Sequence, residues 1–373
     1  MIEIDAIRAR VVEVPLRVAT AFSTRSLNKR VYLYVELEAA GKIGSGFCYL
    51  GHTGSGTALA AIKELLSPIL LGADVLCFER LWEQMYGQTL LHGRAGSVLR
   101  ALSALDIAIW DVKSQLMQIP LWKAVGGLTD RARAYASGGY HQPTSTPDQV
   151  HAEVGSYTAL GFAAVKIKVG REDRYVDAER IAAARDALGD RGILMLDANN
   201  AWRTVHEAAQ ALKLWEPYNL YWIEEPFPPD AHEAHRRLAD ACGIPVATGE
   251  IESGLEHFHE LMSGGGVQVI QPDAAVCGGI TALLRLLPLA EATGTAVCPH
   301  WFHELHAHLA AASTAVTWIE YFPSADILNF HDLLDRRLEL DGGHLILPDR
   351  PGHAIEFNRD ALARWSVETW NSK

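Results

Sequence analysis

AAVKIKV (residues 163–169) is followed by DAERIAAARDAL (177–188), GILMLDA (192–198) by VHEAAQALKLW (205–215), and LYWIEEP (220–226) by HEAHRRLADAC (232–242). Each pair joins a short apolar run of strand length to a stretch with helical spacing. IPVATGE (244–250), VQVIQPD (267–273) and TAVCPH (295–300) continue the series. Strand alternating with helix at a repeat of roughly 25–30 residues implies βαβ units and a parallel sheet. So many units in about 220 residues point to a (β/α) barrel and not to an open sheet.

Ahead of this series the text differs. Ile4–Val11 and Val31–Leu37 alternate with period two and read as strands. The intervening TAFSTRSLNK (20–29) lacks apolar periodicity and reads as a loop, with Arg25, Lys29 and Arg30 in or beside it. From about 56 to 125 the pattern is helical; Leu99, Leu102, Leu105, Ile109 and Val112 recur at three- and four-residue steps. An α+β module therefore precedes the barrel and ends near Gly126-Gly127.

Composition excludes several classes. With 33 Lys+Arg against 45 Asp+Glu, the formal charge is −12, which argues against a nucleic-acid footprint. A local cationic pocket for an anionic substrate remains compatible with it. No apolar run approaches a transmembrane span, and MIEIDAIRARVVEV reads as a first strand, not a signal peptide. Five scattered cysteines without a CxxC pair suit a reducing cytoplasm better than a disulfide framework. The Gly-rich stretch at 51–56 lacks the GxGxxG spacing, and no P-loop occurs.

Function in a barrel sits where strands finish. Reading the polar residue at each strand end gives Lys166 and Lys168, Asp197 and Asn199, Glu224, Glu250, Asp273, His300 and Glu320. Asp197, Glu224 and Glu250 place three hard oxygen donors on consecutive strands. Their mutual repulsion is relieved by a divalent cation, and all-oxygen ligation suits Mg²⁺ better than Zn²⁺. Lys166 and Lys168 flank Ile167 and so point to one face; each cation favours the neutral form of the other, which makes one a base. Asp273 beside His300 would fix its tautomer and raise its basicity, giving a second acid/base group. A zinc cluster of His303, His306 and His308 is disfavoured, because on a helix they face different ways.

This ordered set resembles the enolase superfamily, specifically its mandelate racemase subgroup, over nearly the whole chain. Matching text comprises Lys166-Ile167-Lys168, Asp197-Ala198-Asn199, Trp222-Ile223-Glu224-Glu225-Pro226, Gly249-Glu250, Pro272-Asp273 with Gly278-Gly279-Ile280-Thr281, His300, 307–312, and Trp318-Ile319-Glu320. The resemblance implies a modified TIM barrel, (β/α)7β, at 128–345, an N-terminal α+β capping domain at 1–127, and a C-terminal segment, 346–373, returning to the cap. It implies Asp197, Glu224 and Glu250 as Mg²⁺ ligands, with Glu225 a neighbour. Lys168 would be the base on one face, with Lys166 lowering its pKa and contacting the substrate carboxylate. His300, oriented by Asp273, would be the acid/base on the other, and a protonated Glu320 would hydrogen-bond the enediolate. It also implies a homo-oligomer, octameric or dimeric.

Two outcomes follow from bases on both faces: epimerisation, or loss of a β-hydroxyl to give a 2-keto-3-deoxy acid. Arg25 and Arg30 in one cap loop, and Tyr49 and His52 beside Cys48 in another, are polar and basic. They suit a sugar acid's hydroxyls or distal carboxylate better than an aryl group. An acid-sugar dehydratase is therefore favoured over a hydroxy-acid racemase. The rivals are a zinc amidohydrolase, whose HxH pair could only be His257/His259 or His306/His308, late and in helical text, and an inactive binding protein.

Overall fold

A computed structural model describes residues 1–21, 23–24, 26–141, 146–264, 266–324 and 328–372, the side chains of 19 and 20 excepted. Three antiparallel strands open the chain: β1 (Ile4–Ala21), β2 (Ser26–Ala39) and β3 (Lys42–Tyr49). The stretch read as a loop is largely strand, because Thr20 pairs with Leu27 and Ala21 with Ser26. Backbone pairing between two long arms extends the hairpin where side chains carry no apolar signal.

The helix Gly96–Leu116 covers this sheet at close range. A Cβ on Gly46 would sit 1.9 Å from the Ala104 carbonyl oxygen, and one on Gly44 would sit 2.2 Å from that of Ala108. Glycine at both positions lets helix and sheet touch through their backbones.

Eight parallel strands build the barrel: β4 (Arg131–Gly138), β5 (Ala164–Lys168), β6 (Ile193–Asp197), β7 (Leu220–Glu224), β8 (Val246–Thr248), β9 (Val269–Ile270), β10 (Ala296–Val297) and β11 (Ile319–Tyr321). Neighbours in sequence pair from β4 to β10. Closure comes from β11, which pairs with β4 and meets β10 through the Val297–Val316 bridge. Among the described residues seven α-helices separate the eight strands, giving (β/α)7β. A short hairpin, β12 (Glu339–Asp341) and β13 (His344–Ile346), follows along β4, and β14 (Ser366–Asn371) pairs with β1 beside the N-terminal sheet.

Inside the barrel, period-two alternation sorts side chains into layers. Tyr135, Ala164, Met195, Trp222, Ala247, Val269, Cys298 and Trp318 form an apolar plug. Two residues further along β5, β6, β7 and β11 stand Lys166, Asp197, Glu224 and Glu320. Charge is thus confined to the mouth at the strands' C-terminal ends.

The Gly278-Gly279-Ile280-Thr281 motif docks the N-terminal module onto the barrel. Asp106, on the helix Gly96–Leu116, accepts hydrogen bonds from Thr281 N (2.9 Å) and Thr281 Oγ1 (2.7 Å), while Gly278 N donates to Ser103 Oγ (2.9 Å). Gly279, at φ 92°, leaves room for that carboxylate, since a Cβ there would lie 2.2 Å from Asp106 Oδ2. Burial pushes the Asp106 carboxyl up to about 7, against the pull of the Thr281 bonds. The folded state therefore holds a proton that the unfolded chain releases near pH 4, and stability falls as pH rises from about 4 through 7. Urea unfolding should show a loss on the order of 2–4 kcal/mol between pH 5 and 8 from this group, and Asp106→Asn should flatten the slope. An unchanged slope in the variant would contradict it.

Candidate active site

Register brings the first members of the site together. Lys168 pairs with Asp197 across β5–β6, and Asp197 with Glu224 across β6–β7, so three inward side chains lie abreast. Lys168 Nζ forms a very short contact with Asp197 Oδ2. Lys166 Nζ lies 2.6 Å from Glu224 Oε1, 2.7 Å from Glu320 Oε1 and 3.7 Å from Asp197 Oδ2. Asn199, at φ 42°, donates from its backbone N to Asp197 Oδ1 (2.8 Å) and from Nδ2 to Oδ2 (3.3 Å). All six of these residues are buried.

On the other side, His300 Nδ1 lies 3.1 Å from Asp273 Oδ2, and Nε2 lies 3.4 Å from Glu250 Oε2. Around the eight-strand ring, β5 and β10 are three strands apart by the shorter path. Lys168 and His300 therefore approach a shared cavity of about 280 Å³ from separated walls, and Glu250, Asp273, Asn199 and Glu320 also line it.

The surrounding charges bear on two expectations. Burial disfavours the Lys168 ammonium and Lys166 pushes it down further, but Asp197, with Tyr140 and Glu224 behind it, outweighs both and holds Lys168 above the usual lysine range. A lysine pair alone would lower its pKa; a lysine pair interleaved with carboxylates does not. Glu320 is pulled toward its ionised form: despite burial, the ammonium of Lys166 and then His300 hold its carboxyl down at about 2. Burial lowers His300, but Glu250 and the Asp273 hydrogen bond raise it to about 9, so it carries a proton at neutral pH.

The donor set fits a hard divalent cation. Burial and the charges of Glu250, Asp197 and Glu224 drive Glu225 well above the carboxylate range, and neither of its oxygens finds a hydrogen bond of ordinary geometry. Asn199 Oδ1 is likewise buried without one. Such an excess of acidic oxygen is relieved by a cation, and oxygen-only donors suit Mg²⁺. Asp197, Glu224 and Glu250 are each engaged by Lys168, Lys166 and His300 respectively, so ligation by them exchanges those partners for the ion.

Among the cap residues, Tyr49, His52 and Arg30 line the cavity. Arg25 lies outside the described residues. Lys29 turns away to Glu13 (2.6 Å), and Cys48 is buried in β3. Ser23 ties the hairpin to the barrel, its Oγ donating to the Ala198 carbonyl at 2.5 Å. Arg100, Tyr140 and Trp301 also line the cavity and were not anticipated. Arg100 Nη1 donates to the Tyr49 carbonyl (2.7 Å), and the Arg30 guanidinium lies 4.7 Å from the Trp301 ring centre. Leu27, Phe322 and Leu328 add an apolar wall that the polar reading of the cap omitted.

The histidines of 303–308 do face apart: His306 Nδ1 lies 2.8 Å from the Trp301 carbonyl, and His308 Nε2 3.0 Å from that of His353. His257 and His259 sit on the helix Leu255–Ser263, bonded to Ser253 O and Ser263 Oγ.

Comparison with known proteins decides the family. Residues 5–126 match the mandelate racemase/muconate lactonizing enzyme N-terminal domain, and residues 149–361 match the enolase C-terminal domain-like model. The chain belongs to the mandelate racemase subgroup of the enolase superfamily. It is an enzyme of that superfamily, a carbon–oxygen lyase or a racemase. Similar proteins include the 3,6-anhydro-α-L-galactonate cycloisomerase of Streptomyces coelicolor, 32% identical over 98% of this chain and 99% of the relative. The L-talarate/galactarate dehydratase of Salmonella typhimurium is 35% identical over 87% of this chain and 80% of its own length. The L-talarate dehydratase of Polaromonas sp. JS666, solved with Mg and L-glucarate, superposes with a TM-score of 0.91 at 30% identity, covering 100% of this chain and 99% of that one. No helix among the described residues is long and apolar enough to cross a membrane.

Proposed function

We propose that this subgroup member is an Mg²⁺-dependent acid-sugar dehydratase. The observation that carries the reading is the separated placement of Lys168 and the His300–Asp273 pair on walls of one cavity whose polar lining includes Glu250, Glu320 and Asn199 from the barrel and Arg30 and Arg100 from the cap. Asp197, Glu224 and Glu250 would hold the Mg²⁺, which supplies positive charge for the substrate carboxylate. With Asp197 engaged as a metal ligand, Lys168 would lose the charge that keeps it protonated, and Lys166 would lower it toward a working base.

Neutral Lys168 takes the proton α to the carboxylate. Lys166 faces the negative oxygens of the enediolate that results, with Glu320 held against it at 2.7 Å. Protonated His300 gives its proton to the β-hydroxyl, the C–O bond breaks, and water leaves. The enol tautomerises to a 2-keto-3-deoxy acid. Arg30, Arg100, Tyr49 and His52 contribute a cap wall suited to hydroxyls or a second carboxylate.

Relatives named as talarate, galactarate and arabinonate dehydratases support this reading. The same opposed pair can instead reprotonate the carbanion, which is the racemase reading. A panel of aldonic and aldaric acids, incubated with Mg²⁺ and assayed for 2-keto acids, separates them. Keto acid from at least one sugar acid is expected; α-deuteration in D₂O without keto acid would favour racemisation and overturn the dehydratase assignment.

A further inference from the structure

We propose that His303, Glu304 and His331 form a second metal site, for Zn²⁺ or a similar borderline divalent ion, behind the barrel mouth and independent of the Mg²⁺ reading. His303 and Glu304 open the helix His303–Leu309, and His331 comes from the 3₁₀ turn Asn329–Leu333. His303 Nε2 and His331 Nε2 each lie 3.0 Å from Glu304 Oε1, and 3.1 Å from each other. All three residues are buried. Among the described residues, this is the trio whose potential metal donor atoms crowd together in this way.

A single proton shared between the two rings does not satisfy the arrangement. Neither Glu304 oxygen accepts a hydrogen bond of ordinary geometry, although two ring nitrogens stand next to Oε1. A proton on the His303–His331 edge leaves a lone pair on one nitrogen facing a carboxylate oxygen, in the interior, where an uncompensated carboxylate is costly. A cation receives all three lone pairs at once. Donor atoms about 3 Å apart leave a point roughly 2.0–2.1 Å from each, the Zn–N and Zn–O bond length. Two imidazoles and one carboxylate with a water suit Zn²⁺ in tetrahedral geometry and do not suit Mg²⁺.

Its place in the fold gives the ion a purpose. The turn it would fasten carries Asn329, which accepts from Tyr32 Oη (2.9 Å) and donates to the Val14 carbonyl (2.8 Å), both in the N-terminal sheet. Phe330, next in that turn, packs on Phe302 and Tyr32 with ring centres 4.9 and 5.5 Å apart. The site would thus clamp the seat of the cap to the helix that follows Trp301 in the cavity.

The test uses the full chain, stripped with chelator and returned to excess Mg²⁺, then titrated with Co²⁺ alone while visible absorption is followed. One equivalent of intensely absorbing, four- or five-coordinate Co²⁺ is expected, displaced by Zn²⁺ and raising the melting temperature. The double variant His303→Gln/His331→Gln should weaken binding by at least about 100-fold, whereas Glu250→Gln at the mouth should leave it intact. If folded wild-type chain takes up no Co²⁺ or Zn²⁺ beside Mg²⁺, the site does not exist. Binding that survives the double variant, or is lost in Glu250→Gln, would place the ion elsewhere and overturn the proposal equally.

Discussion

Lys168→Ala should lower kcat by about 10³-fold or more, because no neighbouring group can replace the ε-amine as base. Lys166 is committed to Glu224 and Glu320 at 2.6 and 2.7 Å, and desolvation fails to discharge it against those partners. His300 approaches from another strand. The substitution also frees Asp197, so the fold needs a control: Lys168→Met keeps most of the side-chain volume, and both variants should retain the far-ultraviolet spectrum of the wild type. α-Proton exchange in D₂O should vanish together with turnover. Exchange at the wild-type rate in either variant would remove Lys168 from the reaction.

His300→Asn should separate two steps that Lys168→Ala abolishes together. With Lys168 intact, the α-proton still leaves and returns, but the β-hydroxyl lacks its acid. Keto-acid formation should fall by roughly 10²–10⁴-fold while exchange persists. The wild-type profile should lose activity as pH rises past about 9, where His300 gives up its proton. Asp273→Asn removes a contribution that raises His300, so it should move that limb to lower pH. An alkaline limb unchanged in Asp273→Asn would contradict the orienting role.

Much of this was legible in the sequence because barrels write their sites periodically. Lys166 and Lys168 sit two apart on a strand, and Asp197, Glu224 and Glu250 follow at nearly one per βα unit. What escaped depends on register and on distant packing. Lys168 stands opposite Asp197 across β5–β6, a pairing between residues 29 apart, so its raised pKa is invisible from the Lys-Ile-Lys text. The pull of Glu320 toward its ionised form has the same origin in Lys166. Arg100 lies in the second turn of the helix Gly96–Leu116, and nothing local says that its guanidinium reaches the Tyr49 carbonyl. In the sequence His303 reads with His306 and His308, its helical neighbours, whereas His331 lies 28 residues away in a separate 3₁₀ turn.

The most direct measurement is ¹H NMR of a responsive sugar acid in D₂O with wild-type enzyme, first with chelator and then with Mg²⁺ restored. With chelator, both α-proton exchange and keto-acid formation should be lost, and Mg²⁺ should restore both. Exchange that continues undiminished without the metal would contradict metal-assisted proton abstraction at this site.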